Sequence, residues 1–423
     1  MNINKLHNHL FHNDVLRYES FLHEFNSSIF NELDGFSKKI GLAKKITDLI
    51  EGEKVNLSEN RAAFHPKYRN NFEPFKFNST LNNIKNIVNI GIGGSYEGPK
   101  LLVESFHTNK SYNHIFITGS DNFEFDFKIK GLKPTETVFI ISSKSFKTDE
   151  TLNIFHKALR WSGDIKKFTA ITANKKLASE YGIKNIYEFD IEIGGRYSIW
   201  SPIFLPAQLG SSNFDPIKFI EGGRQVDIDI TENKDFIKFV KTLSFSDIWY
   251  GNYGRRYVRA VLTYNWKLRS FPNYVQQLEM ESLGKNKNAQ SKFKNTGQII
   301  FGGYGPVAQH SYFQLLHQGT QKICADIIVS EEEKDLSYAQ AVTQSKLLSR
   351  GAEDLKKENK INGNTPVNFF RLNKIDSYNL GYLIATWEYR TFITATILNI
   401  NPFDQYGVNA GKIYTKKYLS EKD

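Results

Sequence analysis

The spacing of hydrophobic and polar positions changes near Ile84. Beyond it, short apolar runs of strand length alternate with amphipathic stretches, at 87–92, 114–118, 137–141, 168–172 and 185–189. Strands that alternate with helices predict a parallel sheet with crossover connections. A second block of the same kind begins after Pro216, following a long loop, with strands expected at 257–262, 298–301 and 323–329. Leu380, Leu383, Ile384 and Trp387 fall at i, i+3, i+4 and i+7, which predicts a helix over 377–398. Residues 1–78 are polar with helix-like spacing and predict a helical lead-in. The expected organisation is a helical N-terminal segment (1–78), a first α/β unit (79–215) and a second (216–423), two copies of one architecture.

A chain of 423 residues exceeds one usual hydrophobic core, which agrees with two units. The net charge of +10 is spread along the chain rather than gathered into a tail, and so favours a small anionic substrate over nucleic acid. The single cysteine, Cys324, excludes an internal disulfide and fits a reducing compartment. Residues 1–10 lack the pattern of a secretory signal, and no run approaches the roughly 18 apolar residues of a membrane span. A soluble cytoplasmic protein is expected. His7, His9 and His12 invite a metal reading, but no matching acid or cysteine accompanies them, and no metal site is expected there.

Ligands of open parallel sheets bind at the carboxyl ends of strands. Two turns at such ends are informative. In Asn89-Ile90-Gly91-Ile92-Gly93-Gly94-Ser95 a strand runs into clustered glycines and then a helix beginning near Tyr96, which allows an anion to approach backbone N–H groups. Tyr96 stands where a dinucleotide fingerprint requires glycine, and no Gly-Lys-Ser/Thr follows as in a P-loop. A tight turn without a ligand fits the same residues. The second turn, 142–151, carries Ser143, Lys144, Ser145, Lys147 and Thr148, donors suited to a phosphate near a helix start. Thr148-Asp149-Glu150 also reads as a plain helix N-cap. The two carboxylates would repel a phosphate placed on them, so it is expected on the Ser143 to Ser145 side.

In Gln276-Gln-Leu-Glu-Met-Glu-Ser-Leu-Gly-Lys285, Gln277 and Glu281 stand at i and i+4, an amide beside a carboxylate on one helical face. That pair suits a hydroxylated substrate and a proton transfer, with Glu281 as the candidate base. An ordinary charged helix end has the same look. Gly194-Gly195-Arg196-Tyr197-Ser198 places an arginine after two glycines, where it could stabilise an oxyanion or simply lie on the surface. His310, after the loop 302–305, is expected to open a helix running to Thr320. Residues 403–412 end in Lys412 after small residues, in what reads as a loop.

Together, and in this order, these segments resemble the phosphoglucose isomerase (glucose-6-phosphate isomerase) family. The resemblance covers roughly residues 87–412 and is sharpest in Gly-Gly-Arg-Tyr-Ser at 194–198, Gln-Gln-x-x-Met-Glu-Ser at 276–282, Gln-His with His-Gln-Gly-Thr at 309–320, and Asp-Gln-x-Gly-Val-x-x-Gly-Lys at 404–412. It implies two flavodoxin-like sugar isomerase (SIS) domains and a homodimer with active sites at the subunit interface. It implies reversible isomerisation of glucose 6-phosphate and fructose 6-phosphate through a cis-enediol intermediate, without metal or organic cofactor.

Position by position, the resemblance makes Glu281 the base between C2 and C1 and Arg196 the support of the enediolate. It gives ring opening to His310, contributed by the partner subunit, and assistance at the ring and C1–C2 oxygens to Lys412. Gln277 and Gln405 would hold the sugar; Gly94, Ser95, Ser143, Lys144, Ser145 and Thr148 would hold the phosphate. Ser145, Lys147, Leu283 and Asn409 depart from the usual family residues, the first two within the phosphate turn. Two other classes are weighed against this reading. A non-catalytic sugar-phosphate-binding regulator would not need Glu281, Arg196, His310 and Lys412 together. A nicotinamide-dependent oxidoreductase, suggested by the glycine turn and Asp121, lacks the third glycine.

Overall fold

The computed structural model describes residues 6–75, 83–108, 112–119, 121–211, 213–352 and 355–421. The expected boundary at 78/79 lies outside these residues. In chain order the strands are β1 (Leu6–His7), β2 (Leu10–His12), β3 (Leu16–His23), β4 (Asn86–Ile90), β5 (Asn113–Ile117), β6 (Thr137–Ser142), β7 (Phe168–Thr172), β8 (Asn185–Glu188), β9 (Val258–Thr263), β10 (Ile299–Tyr304), β11 (Ile323–Ser330) and β12 (Val367–Leu372). They form a five-stranded sheet in the order β5-β4-β6-β7-β8 and a seven-stranded sheet in the order β1-β3-β12-β11-β9-β10, with β2 also on β3.

The first sheet is parallel throughout and runs 2-1-3-4-5 in its own sequence order, the flavodoxin-like winding. Its central strands are buried on both faces, which is why they read as continuous apolar runs rather than alternating ones. The second sheet repeats 2-1-3-4 with β10, β9, β11 and β12, all parallel. Its fifth place is taken by β3 from the N-terminal segment, which pairs antiparallel to β12.

That strand corrects the helical lead-in. Helices do occur in it, at Ser27–Lys39, Leu42–Glu51 and His65–Asn70, but β3 precedes them. The first five residues of β3, LRYES, alternate with Leu16, Tyr18 and Ser20 buried, the period of a strand rather than a helix. The long loop expected before Pro216 carries short helices at Gly195–Trp200, Pro202–Phe204 and Leu205–Gly210, and the second unit opens on a helix pair, Pro216–Glu232 and Lys234–Asn252, each opened by a side-chain cap from Asp215 or Asn233.

The helix Ser377–Leu398 lies as predicted and is buried on nearly every side. It crosses the Pro216–Glu232 helix closely enough that a Cβ on Gly222 would stand 2.0 Å from the Tyr378 carbonyl oxygen, and one on Gly381 2.1 Å from that of Phe219. Its charged residues are paired. Glu388 accepts from Arg69 Nη1 at 2.6 Å and from Trp200 Nε1 at 2.7 Å, and Arg390 donates to Asp247 and Asp326 at 2.7 to 2.8 Å. Arg259 joins Asp247, Asp326 and Glu279 in the same buried network. Among the described residues no helix is long and apolar enough to cross a membrane. His9 rests against the rings of Phe25 and Phe30, and no group of three or more potential metal ligands comes together among those residues.

Candidate active site

The helix Phe271–Leu283 carries two carboxylates that point to different places. Glu279 is buried; it pairs with Arg259 and accepts from Trp387 Nε1 at 2.9 Å. Burial raises its carboxyl above the usual range. Gln276 likewise serves the fold, donating to the Ile300 carbonyl at 2.8 Å. Four residues after Gln277, the helix turns Glu281 outward, and Gln277 Nε2 donates to Glu281 Oε2 at 3.2 Å. The same oxygen lies 3.4 Å from Arg196 Nη1, with the Glu281 side chain 26 % exposed and that of Arg196 1 %. The carboxylate is open to a substrate; the guanidinium is held from behind.

Arg196 stands on the helical turn Gly195–Trp200. Its Nε donates to Ser282 Oγ at 2.7 Å, Nη1 to Gln405 Oε1 at 3.1 Å, and Nη2 to the carbonyls of Asp404, at 2.9 Å, and Pro402. Ser282 is held in turn by the Tyr197 hydroxyl at 3.0 Å. With Nε and Nη2 committed, the guanidinium presents its Nη1 edge to Glu281 as a fixed charge beside a carboxylate.

Both candidate anion-binding turns reach this place. A Cβ on Gly94 would stand 1.8 Å from the Gly195 carbonyl oxygen, so the glycine turn packs directly on the turn that carries Arg196. Gly93, at φ 61°, lies against Gln277, whose Nε2 would be 3.1 Å from a Cβ there. The helix after this turn begins at Gly94, slightly before the position expected. Asn89, buried in β4, joins the two turns by donating to the Ser95 carbonyl at 3.2 Å and accepting from Ser142 Oγ at 3.0 Å.

In the second turn Ser143 Oγ lies 3.3 Å from Thr148 Oγ1. Thr148 occupies the N-cap of the helix Asp149–Ser162, but its hydroxyl makes no cap hydrogen bond. Ser145 is exposed, its Oγ accepting from the Lys147 backbone N–H at 3.2 Å. Lys144 Nζ donates to the Ile193 carbonyl at 2.8 Å, next to the glycines that precede Arg196. Burial, with the positive charge of Arg61 second, lowers the Lys144 ammonium to about 8.

Two expected residues stand apart from the cluster. His310 does not open a helix: it ends Gly305–Gln309, and a separate helix Phe313–Gln318 follows. It is exposed, and among the described residues no hydrogen bond or ion pair joins it to Glu281 or Arg196. Lys412 lies on a helix, Asn409–Ser420, rather than in a loop, and that helix is exposed throughout. Lys412 lines a groove of about 640 Å³ together with Asp149, Glu150 and Lys416, and Lys416 pairs with Asp149 at 3.1 Å. The groove thus adjoins the start of the helix Asp149–Ser162, which follows the second candidate turn.

A model of phosphoglucose isomerase matches residues 75–423. This chain belongs to the phosphoglucose isomerase family. Glucose-6-phosphate isomerase of Legionella pneumophila (strain Paris) is 33% identical over 442 residues, covering 94% of this chain and 88% of that protein. The Shewanella oneidensis enzyme of the same name is 34% identical over 459 residues, covering 90% and 83%. A solved glucose-6-phosphate isomerase from Chlamydia trachomatis superposes with a TM-score of 0.88 over 98% of this chain and 90% of that one, at 21% identity, and so shares the fold. Family membership accounts for the two wound sheets. It leaves the particular contacts to be argued from this chain.

Sequence reasoning missed Ser282, Asn89 and the carbonyls of Pro402 and Asp404. Asn89 had a signal, an amide in the middle of an apolar strand. Backbone carbonyls have none.

Proposed function

We propose that the cluster interconverts glucose 6-phosphate and fructose 6-phosphate, the aldose–ketose step of glycolysis and gluconeogenesis, by carrying one proton between C2 and C1 on Glu281. The proximity of Glu281 Oε2 to Arg196 Nη1, 3.4 Å, carries this reading. In the open-chain aldose Glu281 takes the proton from C2, and the electrons of that bond form the C1–C2 double bond as the carbonyl pair moves onto O1. Negative charge then develops where the fixed guanidinium edge faces, which is where preorganised charge lowers a barrier most. A proton passes from O2 to O1 in the cis-enediol, and Glu281 returns its proton to C1 to give the ketose.

Gln277 and Gln405 would hold sugar hydroxyls, each already fixed by Glu281 or Arg196. Gly94, Ser95, Ser143, Lys144, Ser145 and Thr148 surround the ends of β4 and β6 and would hold the phosphate. Lys412 would reach the sugar oxygens from its exposed helix. Ring opening falls to His310 of the partner subunit in a homodimer with shared sites. The exposure of this histidine, and the lack of a hydrogen bond or ion pair from it to Glu281 among the described residues, support that assignment. A cytoplasmic setting fits the buried free thiol of Cys324.

The test is incubation of the pure protein with fructose 6-phosphate and identification of the sugar phosphates by NMR. Glucose 6-phosphate should accumulate to a constant ratio, reached from either side. Unchanged substrate would contradict the reading and leave a binding protein of the same fold.

A further inference from the structure

Residues 402–405 supply Arg196 with three acceptors, so the position of the guanidinium depends on what holds that loop. Asp404 is buried and gripped through both side-chain oxygens. Oδ2 accepts from Ser58 Oγ at 2.6 Å and from Asn401 Nδ2 at 3.0 Å, and Oδ1 pairs with Lys285 Nζ at 3.2 Å. Lys285 Nζ also donates to the Asp404 carbonyl oxygen. That oxygen is the one that accepts from Arg196 Nη2 at 2.9 Å. Two cations therefore meet at one carbonyl.

Lys285 follows directly on Gly284, which ends the helix carrying Glu281. Its side chain is 14 % exposed and its ammonium bonds to Asp404. The residue thus bridges the end of the base's helix and the cage around the arginine. Burial, and then the charge of Arg196, lower its ammonium pKa, so the clamp is held against repulsion.

We propose that Lys285 is a positioning residue for the isomerisation: by clamping Asp404 it fixes the loop that holds Arg196 against Glu281. This rests on the roles given above to Glu281 and Arg196. Without the clamp, the loop relaxes and the guanidinium edge drifts from the developing charge, while the phosphate turns still bind substrate.

Lys285→Met, Lys285→Arg, Arg196→Lys and the double variant Lys285→Met/Arg196→Lys test it by steady-state kinetics, with circular dichroism to check folding. Lys285→Met should lower kcat by about 10- to 100-fold, the range for an ångström-scale misplacement, with KM within about threefold. Lys285→Arg should return most of that loss. In the Arg196→Lys background, Lys285→Met should cost less than about twofold more, because both act through one group. Should Lys285→Met fail to fold, Lys285→Gln, which keeps a donor, is read in its place against the same expectations. Full turnover in Arg196→Lys would overturn the underlying reading of the site. A slow Arg196→Lys enzyme combined with normal turnover in Lys285→Met, or with equal losses from Lys285→Met in both backgrounds, would overturn the positioning role alone, as would a Lys285→Arg enzyme no faster than Lys285→Met.

Discussion

Replacing Gly94 with alanine tests whether the phosphate turn and the arginine turn act as one piece. The added Cβ would meet the Gly195 carbonyl oxygen at 1.8 Å, its carbon at 2.3 Å and the Arg196 nitrogen at 3.1 Å. All three are backbone atoms, so no side chain can swing aside, and restoring ordinary contact requires the two turns to separate by roughly 1.5 Å. Overpacking of this kind costs about 1–3 kcal/mol, which a chain with two wound sheets should survive. The effect on chemistry should be larger. A shift of about 1 Å in a positioning element can cost on the order of 10²-fold, and here it moves Arg196 relative to Glu281 and the phosphate donors together. Gly94→Ala should therefore lower kcat/KM for fructose 6-phosphate by about 10²-fold. The assay is coupled turnover, beside circular dichroism and a urea midpoint. Gly35→Ala is the control: it lies within the helix Ser27–Lys39 with nothing within 4 Å of its Cβ, and should leave activity unchanged while adding up to about 1 kcal/mol of stability. A folded Gly94→Ala enzyme with normal kcat/KM would mean that the two turns do not act as one piece.

Four further outcomes are expected. Lys144, held at about 8 by burial, should lose its charge as pH rises through that value, so KM should climb above pH 8 in the wild type and stay flatter in Lys144→Arg. Because its folded pKa is below the unfolded 10.5, the unfolded chain binds the extra proton between about 8 and 10.5, and the stability difference from Lys144→Gln should rise with pH across that window; a pH-independent difference would contradict the lowered value. Ser282→Ala removes the acceptor of Arg196 Nε, a bond to a charged group worth about 1.5–3 kcal/mol, and should reduce kcat by about 10- to 150-fold at most with KM little changed; unaltered kcat would mean that Ser282 does not hold the arginine. Refolding inactive His310→Ala subunits together with inactive Glu281→Gln subunits should recover up to about a quarter of wild-type activity, since about half the two-fold dimers are mixed and each has one intact site. Activity at the control level with mixed dimers present would place His310 in its own chain's site or outside catalysis.

The central parallel strands β4, β6 and β7 were legible because burial on both faces leaves apolar runs; β7 falls at 168–172 as expected, and its neighbours β6 and β8 differ from expectation by one residue at an end. What was hidden depended on distant partners. β3 lies in a polar segment, and only its pairing with β12 makes it a strand of the second sheet. β12 itself, VNFFRL, mixes Asn368 and Arg371 into an apolar run. Asn368 is satisfied by Asp326 at 2.8 Å and by the Tyr18 hydroxyl at 2.8 Å, both far away in sequence. At the site, the i, i+4 relation of Gln277 and Glu281 could be read directly from helical geometry. The meeting of Glu281 with Arg196, more than eighty residues apart, could not, and nothing in residues 402–405 signals that two carbonyls there cage a guanidinium.

In the proposed mechanism Glu281 carries the proton between C2 and C1. Isomerisation of fructose 6-phosphate in D₂O, followed by proton NMR, measures this directly. Wild-type protein should place deuterium at C2 in a fraction of the glucose 6-phosphate formed, the fraction in which the proton held on the partly exposed Glu281 exchanges with solvent before it is returned. Glu281→Gln should slow both isomerisation and deuterium incorporation by about 10²–10⁴-fold, while substrate binding measured by calorimetry stays within a fewfold of wild type. Deuterium entering C2 at the wild-type rate in Glu281→Gln, or near-normal turnover retained by Glu281→Gln, would contradict it.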